Sequence, residues 1–340
     1  MSYLVPRQDG LPHCSLRQEV TERATYGVMR LAHCSDLHLL SHDGARWLDL
    51  ANKRWIGAMN LLSSRSRHYH VDAFDHMIAD MNAQGIEHVL CTGDVTNLAL
   101  EQEFKFARGM FDRLAGGPEH VTVIPGNHDA YVAEGIAHFA TVFDEYHRAD
   151  AGWLWTDADR DVDDPDDDLR WPLVRVRGDL ALVGVTTSRA TPWFTAYGRV
   201  GAGQLARLRK ALSDPRIANK ARLVAIHHPP AGRRAANKIR GLRDHASFAQ
   251  VIAEVGADLI VHGHEHQDLS EELAGPTGPI PVRGVCSGTY HHNKPDRIGR
   301  YRIFEITRGK IVSDYVRVWN RETGVFEAQP GSVQQSNYVS

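Results

Sequence analysis

Cysteine is scarce in this chain: Cys14, Cys34, Cys91 and Cys286 are the only four in 340 residues. They lie far apart without CxxC or CxxxC spacing, which excludes a zinc ribbon or a dithiol redox motif. Reduced structural thiols, as in a cytosolic protein, are the expectation. Excess charge is also lacking. With a formal net charge of -3 there is no electrostatic ground for binding nucleic acid, and none is expected as a partner. No apolar run is long enough to cross a bilayer, and the N-terminal MSYLVPRQDGLPHC has no basic region followed by an apolar stretch. A soluble, cytoplasmic protein is therefore expected. No internal repeat is evident. What is present is the composition of a globular protein, 42% hydrophobic and 24% charged, together with twenty histidines, a number that directs attention to metal binding. The length accommodates one large α/β domain or two ordinary ones.

Along the chain, residues 1–27 read as a lead-in, 28–320 as the main domain and 321–340 as a polar, frayed tail. VMRLAHC at 28–34 reads as a buried strand. Residues 39–67 follow as an insertion of helical spacing carrying Trp47, Leu48, Trp55, Ile56, Met59 and Leu62 among arginines and lysines. That pattern suits a lid, core packing, or, over 44–67, a peripheral membrane contact. Helical periodicity over 72–84, a strand over 87–91, a helix over 98–114 and a strand from Val121 then give the alternation of an α/β sheet. DADRDVDDPDDD at 157–168 reads as a solvated loop, because its like charges repel and it lacks the glycine and terminal glutamate of a calcium loop. The spacing further predicts a hairpin over 171–185, helices over 204–212 and 247–255, strands over 222–226 and 258–261, and strands at 281–285, 300–307 and 310–318. Between them, the loop 186–203 carries Arg189, Trp193, Phe194 and Tyr197 as candidate substrate contacts.

The strand ends carry the chemistry. In chain order they present Asp36-x-His38, Gly93-Asp94, Gly126-Asn127-His128-Asp129, His227 and Gly263-His264-x-His266. Each alone has an ordinary structural explanation: an aspartate caps a helix, a glycine makes a turn, a histidine fills a polar niche. Together they place oxygen and imidazole donors after five apolar strands, the arrangement that a divalent-metal site at a sheet's carboxyl edge requires. The absence of thiolate from the set suits manganese, iron or zinc better than copper(I) or an iron–sulfur cluster.

In these five blocks the sequence resembles the calcineurin-like metallophosphoesterase superfamily, whose pattern is DxH, GDxx, GNHD or GNHE, a histidine after a strand, and GHxH. The likeness extends over roughly 28–318. It implies an α/β fold, a four-layer α/β/β/α sandwich, with two divalent metal ions at the strand ends. Carried over residue by residue, Asp36, His38 and His266 would hold one ion, Asn127, His227 and His264 the other, and Asp94 would bridge them. His128 would polarise the phosphoryl group or protonate the departing oxygen, with Asp129 orienting its ring, and Asn127 and His128 would touch substrate. The chemistry implied is hydrolysis of a small-molecule phosphoester by a hydroxide held between the ions. Bacterial members compared with cyclic-nucleotide phosphodiesterases look most similar, which implies a phosphodiester such as a 3′,5′-cyclic nucleotide. Two alternatives stand beside it. One is a nucleotide-sugar-lipid pyrophosphatase, suggested by the 47–62 insertion but usually carrying arginine where His128 stands. The other is a non-catalytic scaffold that keeps the fold. His228 and His262, next to ligand positions, read as structural.

Overall fold

The computed structural model describes residues 27–39, 68–292 and 294–330. The expected insertion over 39–67, with its lid or membrane role, lies outside the described residues from residue 40 on, as do residues 1–26, 293 and 331–340. Among the described residues, two six-stranded mixed sheets and their helices make up the fold. In the first, β1 (Met29–Cys34), β2 (His88–Cys91) and β3 (Val121–Val123) run parallel, and β10 (Arg300–Thr307), β11 (Lys310–Asn320) and β12 (Val325–Ala328) extend it antiparallel from β1. In the second, β5 (Leu180–Gly184), β6 (Ala221–Ala225), β7 (Leu259–His262) and β9 (Pro279–Gly284) run parallel, flanked by antiparallel β4 (Leu173–Arg177) and β8 (Leu269–Ala274).

The second sheet is apolar on both faces, and this makes the arrangement layered. Alternate residues along its strands enter different clusters: Leu182, Leu223 and Val261 join the core shared with β1 and β2, whereas Val183, Val224 and Ile260 pack with Leu208 and Ile252. Those last two belong to helices α4 (Ala202–Leu212) and α5 (His245–Val255), which cover the second sheet's outer face. On the other side, α1 (Val71–Ala83), α2 (Glu101–Phe111) and α3 (Ala133–Val142) bring Phe74, Met77, Phe104, Phe111 and Phe139 to the core of the first sheet. Among the described residues, no helix is long and apolar enough to cross a membrane.

Three elements depart from the sequence expectations. Strand β12 occupies part of the expected tail and pairs Phe326 with Trp319, so a short polar segment is held by its partner strand. Strand β8, LSEELA, is an edge strand with no fully buried residue, so it carries little hydrophobic signal. Helix α3 was not evident from periodicity. The acidic loop also differs from a freely solvated one. Arg207 grips Asp167 through two short contacts, Arg189 pairs with Asp166, and Lys210 with Asp159, so nearby cations relieve the repulsion and tie the loop to α4.

Candidate metal centre

Five strand ends converge on one spot, and the backbone there is bent to bring them in. Asp36, His38, Asp94, His264 and His266 all have positive φ, between 45° and 70°. Each such non-glycine residue costs of the order of 1–3 kcal/mol, a strain that concentrates where surrounding structure and function demand it. Two glycines make the approach feasible. A Cβ on Gly126 would overlap the Asp94 carboxylate, and one on Gly263 would overlap Ser35 Oγ and Asp36 Oδ2. This is the physical content of the glycines in the GNHD and GHEH segments.

The side chains sort into two groups that share Asp94. In the first, one donor atom from each of Asp36, His38, Asp94 and His266 lies within 4.8 Å of the others. His266 Nε2 is 3.1 Å from Asp36 Oδ1 and 3.2 Å from His38 Nε2, and His38 Nε2 is 3.9 Å from Asp94 Oδ2. In the second, Asn127 Oδ1 lies 3.1 Å from His227 Nε2 and 2.7 Å from His264 Nδ1, and His227 Nε2 is 3.6 Å from Asp94 Oδ1. Asp94 thus turns one oxygen towards each group.

Backbone carbonyls fix which imidazole nitrogens face inward. His38 Nδ1 is 3.3 Å from Thr96 O and His227 Nδ1 is 2.7 Å from Thr92 O. A carbonyl cannot donate, so each ring donates through Nδ1 and, when neutral, presents the lone pair of Nε2 to the cluster. Lone pairs of His38 and His227 therefore point at carboxylate and amide oxygens. Such convergence is repulsive unless a cation lies between, and the oxygen and imidazole donors fit a pair of hard or borderline divalent ions. Electrostatics agree. Burial lowers the pKa of His227, and burial with neighbouring histidines holds His264 and His228 well below the usual range, keeping the rings uncharged. Burial pushes Asp94 well up, reinforced by the neighbouring carboxylates Asp36 and Asp129. Burial also pushes Asp36 up, but the close contact with His266 outweighs it and holds the carboxyl well below its usual range.

His128 stands beside both groups. Its backbone N–H donates to Asp94 Oδ1 at 2.7 Å, and its ring donates from Nδ1 to Asn97 O at 2.8 Å. Asp129 is not placed beside that ring as expected. Its carboxylate is buried and accepts from the backbone N–H groups of Val95, Thr96 and Gly126 and from Thr96 Oγ1, at 2.8 to 3.2 Å. Burial pushes its pKa up to about 6, against the pull of those donors. The reason is geometric: at the turn after β3 the aspartate faces back to the β2 loop, and the Asn97 carbonyl takes the orienting role.

A cavity of about 520 Å³ opens over the cluster, lined by His128, His264 and His266 and walled by Tyr69, Phe194, Ile239 and Arg240. Of the four loop residues read as substrate contacts, Phe194 lines it. Arg189 is paired with Asp166, and Tyr197 lies under the Arg243 guanidinium, 4.2 Å from its ring centre. Sequence reasoning missed Asn97, Tyr69 and Arg240. Asn97 sits three residues past Asp94 on the same loop, a proximity that offers a weak signal. Tyr69, whose hydroxyl is 3.3 Å from His266 Nδ1, offers none, because 197 residues separate the two.

Comparison with known proteins gives the family. A sequence profile described as calcineurin-like phosphoesterase matches residues 29–268, more than half of the chain, and the protein belongs to that family. The family is one of metal-dependent phosphoester hydrolases. No curated protein gives a significant match. Among solved structures, a purple acid phosphatase from yellow lupin (Lupinus luteus) seeds superposes with a TM-score of 0.50 at 10% identity, over 89% of this chain and 53% of that one. A dimetal phosphatase from Danio rerio gives a TM-score of 0.45 at 13% identity, over 83% of this chain and 96% of that one. The first likeness is one of fold, and the chain spans about half of the lupin enzyme's length.

Proposed function

We propose that the protein hydrolyses small phosphoesters, phosphodiesters first among them, with two divalent cations held at the strand ends. Asp36, His38 and His266 hold one, Asn127, His227 and His264 the other, and Asp94 serves both; manganese, iron and zinc suit this donor set. Bound there, such a pair neutralises phosphoryl charge and makes a shared water a nucleophile at neutral pH. The protein's own part is placement. Thr92 and Thr96 carbonyls hold His227 and His38 with their lone pairs inward. His128, its ring fixed by Asn97, carries a proton on Nε2 when charged and delivers it to the departing oxygen. Asp129 locks together the two loops that bear Asp94 and Asn127. The observation that carries this reading is the division of Asp94, one carboxylate oxygen towards each histidine group.

A 3′,5′-cyclic nucleotide, or another small diester, is the first substrate to try, since the cavity of about 520 Å³ suits a molecule of that size. The test is metal analysis of protein offered manganese, iron and zinc, with turnover of bis-p-nitrophenyl phosphate, p-nitrophenyl phosphate and cyclic AMP. Wild type takes up two equivalents and cleaves the diester faster. His128→Ala keeps its metal and loses about 10²–10⁴ in rate, whereas Asp94→Ala loses both. Absence of stoichiometric uptake refutes the metal centre, and full uptake without hydrolysis favours the scaffold alternative.

A further inference from the structure

One wall of the cavity is built from two loops that the proposed chemistry leaves without a task. The loop 191–198 and the segment 236–243 are stitched by backbone hydrogen bonds from Ala196 N to Ile239 O, Gly198 N to Gly241 O and Arg243 N to Gly198 O, at 2.9 to 3.0 Å. The first of them rests on His228, fully buried next to the candidate ligand His227. Its Nε2 donates to Ala196 O at 3.0 Å, its Nδ1 is 2.7 Å from Thr187 Oγ1, and its ring packs so closely on Gly198 that a Cβ there would overlap it. The adjacent histidines thus divide their work, His227 facing the cluster and His228 anchoring the wall.

What the wall displays is unusual for a surface facing water. Phe194 is 78% exposed and Ile239 55%, both on the cavity, and Phe194 has φ of 63°, a strained conformation for an aromatic residue. Beside them the Arg240 guanidinium makes no hydrogen bond or ion pair among the described residues, whereas Arg234, just before that segment, is paired with Glu265. Arg240 is near enough to Asp94 and His264 for its charge to act on both. An exposed apolar pair held rigidly next to an unengaged cation matches a ligand that joins a flat apolar group to an anion.

We propose that Phe194 and Ile239 are specificity-determining residues that receive a planar aromatic substituent of the phosphoester, an aryl group or a nucleobase, while Arg240 holds a phosphoryl oxygen. This rests on the phosphoester reading above and adds the substrate class. Recognition by a ring face is tolerant of base identity, because every base has one.

The experiment reads binding and turnover separately. Calorimetry on manganese-loaded protein compares methylphosphonate, phenylphosphonate and AMP. Wild type binds phenylphosphonate about tenfold tighter than methylphosphonate; a similar gain for AMP assigns the wall to nucleotides, and its absence to aryl esters. Phe194→Ala abolishes the preference and leaves methylphosphonate within about twofold, as expected where only the ring contact is lost, and Phe194→Trp restores it. Equal affinities in wild type, or a preference that survives in both Phe194→Ala and Ile239→Ala, overturn the proposal. In turnover, bis-p-nitrophenyl phosphate loses kcat/KM through KM in Phe194→Ala, while the aliphatic diester glycerophosphoethanolamine does not; equal losses on both overturn it. Preference in binding without cleavage of either ester supports the wall and refutes the hydrolase reading. Cleavage of both esters by wild type with equal kcat/KM does the reverse.

Discussion

At the scale of single residues, the neighbours His128 and Asp129 have different tasks although they share one motif. The His128 ring is half-buried at the cavity, where water can take over the Asn97 carbonyl that the ring releases when it is removed. Asp129 accepts four hydrogen bonds from buried groups. Asp129→Ala strands those donors, each at about 1–3 kcal/mol before the loops relax. We therefore expect Asp129→Ala to lower unfolding stability by at least 3 kcal/mol, on the order of two or more stranded donors, while His128→Ala stays within about 1 kcal/mol of wild type. Urea denaturation of both variants checks this. If Asp129→Ala is as stable as His128→Ala, the loop-locking role is wrong. Adjacency in sequence suggested that the two side chains meet, and it misled because the turn after β3 sends them to different partners.

At the scale of elements, the site depends on how closely the loops after β1 and β7 approach. His264 N–H donates to Asp36 Oδ2 at 2.9 Å, which is feasible because Gly263 leaves the space empty. Gly263→Ala must push Ser35 and Asp36 aside while both strands stay paired in their sheets. The expected result is a folded protein, with far-UV circular dichroism unchanged, that binds at most one cation tightly. Uptake of two equivalents with unaltered affinity would show that the loops tolerate a wider gap. Strands β1, β2, β6 and β7 were legible because apolar runs ending in polar blocks announce buried strands. Strands β8 and β12 were not, since edge strands take their stability from a neighbour and carry little pattern of their own.

For the whole molecule, a buried histidine far from the cluster sets a pH dependence of stability. His147 donates from Nδ1 to Phe143 O at 2.7 Å and stacks on Trp171, 5.7 Å between ring centres, joining the chain after α3 to the start of β4. Burial pushes its pKa down to about 4; the bond to Phe143 opposes this, Arg170 adds to it, and Asp144 and Asp168 counter it. Unfolded, the ring titrates near 6.5. Between those values the unfolded chain binds a proton that the folded one refuses. Stability therefore falls on acidification from about pH 6.5 to 4, at about 1.4 kcal/mol per pH unit from this residue. In His147→Phe the loss between pH 7 and pH 5 shrinks by about 2 kcal/mol, measurable by urea denaturation at each pH. An unchanged difference would rule His147 out as the source.

The sequence by itself determined the donors, their order and their position at strand ends, because apolar runs closed by glycine, aspartate and histidine are local patterns. Tertiary structure decided how those donors are oriented and what surrounds them. The Thr92 carbonyl that turns His227 inward lies 135 residues away, and the Asn97 carbonyl that holds His128 lies 31 residues away. The wall of Phe194, Ile239 and Arg240 exists only because two loops are stitched to each other and one of them is anchored on His228. Local pattern fixes which face a residue takes within its own element, whereas a hydrogen-bond partner on another strand depends on how the two sheets pack.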